Sequence, residues 1–596
     1  MAEKKEKLPG WDLSDLYKGM DDPAIERDLE KFKKDNQAFA KKYKGKIGGL
    51  SASDFAKMLQ TYEKMAIKAE NLASYASLNM NTQMKNAKAI AFYQTISEKL
   101  TDYSKPVVFF TLEINKLSDA QVKELLKDKA VAFFKPWLER VRRFKKYELS
   151  EDLEELLLEK SLTSGSAWVR LYEESSSRLV YTVDGKNYND AEISKLLLDK
   201  DPAVREKAGK EINRVSKENA ALYSFIYNMV IKDKATEDTK RGFKTPIAER
   251  NLAENVEDAA VEALAESVRK KYAEISHRFY KLKAKWLGVK KIQYWDRNAP
   301  LPFCHDTHYS WKEAVDTVLN AYHEFSPKLH AQAVDFFKND WIDVPPRDGK
   351  RSGAFAHSCS NEMHPYLFLN FVGKQNDVLT LAHELGHGCH MRLSKAQGAL
   401  NDDMPMTLAE VASVFGEMVT FQSLLRQTKD DKDKLCLIAG KVNDMINTAL
   451  RQISFHFFES RAHDERKNGE VSDDRLCQIW VEEMKACLGP SVVVDENSAH
   501  IWSQVGHFFF LPFYVYAYSF ADCLVNSLYQ VYQEGSVKNF EDKYLDMLAH
   551  TGSKKYDQLL KPFGLDAKSP EFWNKGLSLI SSYIDELERL DKKLKL

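Results

Sequence analysis

Apolar residues recur at helical spacing over most of the 596-residue chain. The clearest case lies in 256–287. There Val261, Leu264, Val268, Tyr272, Ile275, Phe279, Leu282 and Trp286 fall three or four apart, and Gly288 stands where a C-cap is wanted. That stripe predicts one long core helix. Period-two alternation is confined to short segments. Leu179 to Val183, then Asp184-Gly185, then Lys186 to Tyr188 predict a hairpin with a type I′ turn. His364 to Asn370 predicts a second strand, and Gly353 upstream is placed to begin its partner. The expected class is therefore mainly α, with a small β-sheet.

Composition sharpens this picture only at a few points. Glycine (25) and proline (17) are scarce for the length, which favours long helices over turn-rich β architecture. The length calls for two or more packed substructures, with a weakly marked boundary near residue 200 separating 1–200 from 201–596. A net charge of −1, from 87 basic and 88 acidic residues, gives no general attraction to nucleic acid or to an anionic membrane. The basic run Arg140 to Lys146 reads as a solvated helix face. No stretch of 18 apolar residues predicts a membrane span. No apolar leader follows the charged first residues, so a cytoplasmic location is expected. The seven cysteines are odd in number and form no C-x-x-C pair, so a disulfide framework is not expected.

The candidate chemistry lies in residues 377–392, which contain His383-Glu-Leu-Gly-His387. Positions four apart on an α-helix differ by about 40° around the axis, so His383 and His387 project from one face and can share one metal ion. Glu384, rotated about 100°, is out of reach as a ligand of the same turn and suits a general base. Asn376 or Asp377 could cap the helix start. Gly386 and Gly388 weaken the helix on either side of His387, a pattern that fits close approach of another backbone or of substrate. Leu379, Leu381, Ala382 and Leu385 bury the rest of the helix, where two unpaired imidazoles would be costly.

Zinc needs a third protein ligand and an open position. The next helix would present Glu410, Ser413, Val414 and Glu417 on one face. Glu410 suits the third ligand, but Thr407 and Glu410 equally form a capping box. Glu417 would suit a carboxylate orienting a ligand histidine, and His390, three residues past His387, is a further candidate for ligand or supporting residue.

With these residues in view the chain resembles oligoendopeptidase F, of the thimet oligopeptidase and neurolysin family of gluzincins. Trp11-Asp-Leu-Ser-Asp-Leu-Tyr17, Ala299-Pro-Leu301, Gly353-Ala-Phe355, His364-Pro-Tyr366, Ala409-Glu-Val-Ala-Ser413 and His507 with Tyr514-Val-Tyr516-Ala-Tyr518 all look like segments of that family, so the resemblance spans essentially the whole chain. It implies a helical, clam-like ellipsoid around a deep channel. It also implies zinc on His383, His387 and Glu410, one ion per chain, with His390 in a supporting role. His507 and a tyrosine are implied to bind substrate and the developing oxyanion, Tyr518 first and Tyr514 second. Tyrosine spacing differs from thimet oligopeptidase, and Phe508, Phe509, Phe510 and Phe513 read as core.

The expected activity is hydrolysis of internal bonds of short unstructured peptides. Water activated by the zinc is the nucleophile, with Glu384 as base. The peptide is expected to add as a strand beside His364, Tyr366, Leu367 and Phe368. The alternatives are an exopeptidase, for which no motif capturing a peptide terminus is present, or a non-catalytic binder on the same framework. Oligomeric state is not legible.

Overall fold

The computed structural model describes residues 8–161, 163–305 and 307–596, and they are predominantly helical. The strands are short: β1 (Tyr181–Val183), β2 (Lys186–Tyr188), β3 (Ile292–Gln293), β4 (Ile342–Asp343), β5 (Phe355–His357), β6 (Tyr366–Phe368) and β7 (Val492–Val493). β1 and β2 form the expected hairpin, with Asp184 and Gly185 at φ 51° and 75°, as a type I′ turn requires. β3 pairs in parallel with β7.

The chain divides into two compact units that are not consecutive halves. The first comprises residues 1–146, 306–424 and 537–564; the second comprises 147–305, 425–536 and 565–596. A boundary at residue 200 thus falls inside the second unit.

In the first unit, helices Pro23–Tyr43 and Ala52–Asn81 bury Phe32, Phe39, Phe55 and Leu59 against Phe110 and Trp137. The basic run 140–146 belongs to this packing rather than to a solvated face. Arg140 donates to Leu400 O at 2.6 Å, Arg142 to Ile114 O at 2.7 Å, and Lys145 to Leu117 O. These side chains satisfy carbonyls at the ends of other segments, a use that a charge run does not announce. The three-stranded sheet has the order β4-β6-β5, parallel on one side of β6 and antiparallel on the other. Trp11 lies against Tyr366 and Phe368, at ring separations of 5.8 and 5.7 Å.

In the second unit, helix Tyr516–Glu534 runs against helix Pro570–Leu594 so closely that a Cβ on Gly576 would stand 2.3 Å from Cys523 O. The expected long helix 256–287 is interrupted. Asp258–Lys270 and Arg278–Trp286 flank a π-turn over Ala273–His277. The wider turn shifts the buried face, so Tyr280, Lys283 and Ala284 go inside and Leu282 is only half-buried. Gly288 follows at φ 69°, as a C-cap requires.

Cys304 and Cys436, also in the second unit, are joined by a disulfide. One isolated bond is not a framework, but it is a pairing that the cysteine pattern did not announce. Sequence spacing is blind to two cysteines 132 residues apart that the fold brings together. Met406–Gln427 is long and apolar enough to cross a membrane by its mean hydropathy of 1.2, yet 67% of it is buried inside the protein, as a core helix would be.

Candidate active site

The His-Glu-Leu-Gly-His run lies on helix α1 (Gln375–Ser394) in the first unit. Asp377 fastens the helix start from its third position, accepting from the N–H groups of Lys374 and Val372 at 2.9 Å; Asn376 makes no such cap. The helix packs on β5 and β6 and against Trp311–Phe325. Gly386 is required by the next helix. A Cβ there would stand 2.5 Å from Ala412 O. Gly388 instead makes room for the Phe336 ring.

That next helix, α2 (Val411–Gln427), is preceded by a short turn Met406–Ala409 whose N-cap is Pro405. Thr407 therefore sits inside the turn and not at a cap, so the capping box is not formed. The Glu410 carboxylate faces α1. Its Oε2 lies 3.2 Å from Nε2 of both His383 and His387, and Ser413 Oγ donates to the same oxygen at 2.7 Å. Glu417 Oε2 lies 3.4 Å from His383 Nδ1. One imidazole is thus held from both sides, by Glu410 just before α2 and by Glu417 within it.

The electrostatics follow from this placement. Burial disfavours a charge on His383, but hydrogen bonds to Glu410 and Glu417 outweigh it and lift the imidazole to about 10. Burial likewise opposes a charge on Glu410, and the bonds from His383 and His387 overcome it, holding the carboxyl far below its ordinary value. Glu384 is 6% exposed. Burial raises its pKa, opposed by His383, His387 and the backbone N–H of Ala356. Two imidazoles and a carboxylate with donor atoms all within 4.8 Å of one another make a donor set that suits zinc.

His390 is fully buried and pairs through Nε2 with Thr551 Oγ1 at 2.7 Å. Its bond anchors α1 to the segment after helix Phe540–Ala549 and not to the histidine–glutamate trio. Sequence reading gave no sign of Tyr322. This buried ring donates to Ala382 O at 2.6 Å and occupies the space above Gly416, so it fixes the spacing of α1 and α2 beside His383 and Glu417.

The tyrosine segment lies in the second unit. His507 Nε2 and the Tyr518 hydroxyl are 3.2 Å apart, and Tyr514 stacks on His507 at 5.6 Å with an interplanar angle of 24°. Tyr516 points the other way and is 0% exposed, a core residue. Phe508, Phe509 and Phe513 are buried as expected, but Phe510 is 43% exposed beside the His507 ring.

The sequence matches the model of peptidase family M3 over residues 195–579 and that of oligopeptidase F over 113–181. The chain belongs to peptidase family M3. Curated relatives of this M3 peptidase include oligopeptidase PepF of Bacillus subtilis, 24% identical over 98% of this chain and 88% of the relative. An oligoendopeptidase F homolog of Lactococcus lactis is 24% identical over 99% and 98%. Among solved structures, a putative peptidase from Chlamydophila abortus superimposes with a TM-score of 0.86, at 22% identity and 98% coverage of both chains. Oligoendopeptidase-F from Enterococcus faecium gives 0.72 at 20% identity, covering 96% of this chain and 99% of the other.

One expectation for this M3 peptidase fails on the fold. β6, with Tyr366, Leu367 and Phe368, is the central strand and is wholly buried, so its backbone is already paired on both sides and cannot take up a peptide. His364 is likewise engaged, stacked on Trp341 at 3.9 Å and bonded to Asp15 at 3.0 Å. The half-buried β5 is the edge strand of that sheet beside α1.

Proposed function

We propose that this M3 peptidase is a zinc-dependent oligoendopeptidase acting on short unstructured peptides, with the ion held by His383, His387 and Glu410. The observation that carries this reading is the convergence of Glu410 Oε2 on both imidazoles at 3.2 Å. Zinc bound there supplies Lewis acidity, which polarises the scissile carbonyl and makes attack by water feasible near neutral pH. Glu384 takes the proton of the attacking water and delivers it to the leaving amine, a task its burial and raised pKa suit. Glu417 keeps His383 in a ligating orientation. A peptide pairing along the β5 edge would take the Ala356 N–H now held by Glu384, a mode that recognises main chain and tolerates varied side chains.

A second donor group, Asp473, Cys477 and His500, lies in the second unit, with His500 Nε2 3.9 Å from Asp473 Oδ2. Cys477 Sγ donates to Asp473 Oδ1 at 3.8 Å. The reading assigns one zinc per chain, at the His383, His387 and Glu410 trio.

Glu384→Gln should lower kcat/KM on an internally quenched peptide by about 10²–10⁴-fold, the usual contribution of a positioned acid–base, while zinc content by elemental analysis stays near one per chain. Appreciable turnover in that variant would remove Glu384 from its role. Blocking both peptide ends should leave cleavage intact; loss of cleavage would instead mark an exopeptidase.

A further inference from the structure

The second unit holds two arginines that the hydrolytic machinery does not use. Arg297 is 7% exposed, and Arg451 is half-buried with its Nε fully out of solvent. Both line a cavity of about 160 Å³ together with Tyr294, Asn298 and Gln504. Their partners are neutral. Arg297 Nη1 donates to Asn298 Oδ1 at 3.2 Å and to Asn447 Oδ1, and Arg451 Nη2 donates to the Tyr294 hydroxyl at 3.3 Å. The Nε of each has no hydrogen-bond acceptor. Among the described residues no carboxylate oxygen lies within the 4.0 Å of an ion pair from either guanidinium. The acid next in sequence, Asp296, is already paired with Arg205 at 2.7 Å. A further cation, the buried Lys283, donates to Arg297 O at 2.7 Å.

Burial opposes both charges, although for Arg297 the neighbouring Tyr280 and Tyr294 outweigh it and raise the pKa. Burial and the charge of Arg297 both press the Arg451 pKa down. A buried charge is normally retained only when an opposite charge or a bound ion compensates it, and neither arginine has a carboxylate partner of its own. The cavity is wider than a single water requires. Guanidinium N–H groups are matched in geometry by oxyanions. Asn298 Oδ1 shows what the pocket lacks. It accepts from Arg297, Asn443 and Asn447, all near 3.2 Å, one neutral oxygen shared among three donors.

We infer that this cavity is a binding site for a small oxyanion, a phosphate or carboxylate group, bridged between Arg297 and Arg451. The lining residues all belong to the second unit and include none of the zinc trio, and the inference does not depend on the peptidase reading.

Titration calorimetry of the zinc-loaded protein with inorganic phosphate, with malonate and with chloride at matched ionic strength tests it. Saturable binding of one phosphate or one malonate per chain is expected, and whichever binds tighter identifies the anion class. Arg451→Gln should weaken that binding by about tenfold or more, as loss of a charged hydrogen-bond donor does. Asn298→Asp places a carboxylate against Arg297. It should abolish the binding while raising Tm, because the protein then carries its own anion. This variant decides the matter if Arg451→Gln does not fold. Absence of saturable binding of either oxyanion, equal binding of chloride, or unchanged affinity in Asn298→Asp would overturn the assignment.

Discussion

Glu410 shows how much a single side chain depends on its neighbours. In sequence it is equally a capping residue and a ligand; in space it sits between two imidazoles with Ser413 behind it. The supporting carboxylate Glu417 gives a sharper test. Glu417→Gln should weaken zinc binding by about 10–100-fold in competition with a chelator, with kcat nearly restored at saturating zinc. An unchanged affinity would show that the 3.4 Å approach to His383 Nδ1 does no orienting. Among the tyrosines the fold separates roles that spacing could not. Tyr518→Phe, if its hydroxyl serves the oxyanion, should lower kcat by about 10²–10³-fold with little change in KM. Tyr516→Phe removes a hydroxyl that is buried in the core, so kcat should stay at the wild-type level. The reverse pattern would assign the hydroxyl to the wrong tyrosine.

At the scale of elements, helix α3 (Arg451–Arg466) shapes the turn that leads into helix α4 (Tyr516–Glu534). Phe513 adopts φ 60° just before α4, and its N–H donates to the buried Glu459 at 3.0 Å. Burial outweighs that bond and pushes Glu459 up to about 8, from an ordinary value of 4.5. Between these values the folded protein keeps a proton that the unfolded chain releases, so stability contributed here falls as pH rises through the window. His456 and His463 on the same helix are lowered by burial to about 4 and about 3 and remain neutral when folded. Glu459→Gln preserves an acceptor for Phe513 without the proton. Its Tm relative to wild type should therefore climb between about pH 5 and about pH 8; a pH-independent difference would count against a neutral Glu459. The elements themselves were mostly visible beforehand, because helical period and the Asp-Gly turn are local properties. The π-turn at 273–277 was not, since one extra residue in a turn leaves apolar spacing almost unchanged while rotating the buried face.

For the whole molecule the disulfide is the feature with the largest consequence. Cys304–Cys436 closes a loop with a sequence separation of 132 residues, worth roughly 4–5 kcal/mol in the chain-entropy picture. Denatured but unreduced protein should titrate five thiols, at 359, 389, 477, 487 and 523, rising to seven after reduction. Reduction should also lower Tm. Seven thiols before reduction would show that the bond does not form in the isolated protein.

The sequence by itself determined what is local or repeated. It set the helical class, the hairpin, the pairing of His383 with His387 four residues on, the offset of Glu384, and the small residue at Gly386 that lets a second helix approach. These follow from backbone periodicities that hold wherever the segment lies. Only the tertiary structure decided what joins distant segments. It turned Glu410 to the imidazoles, made β6 a central strand and left β5 at the edge, and separated Tyr516 from Tyr514 and Tyr518. It also joined Cys304 to Cys436 and set two arginines around one cavity. Each of those outcomes depends on which surfaces meet, and the order of residues along a chain does not state that.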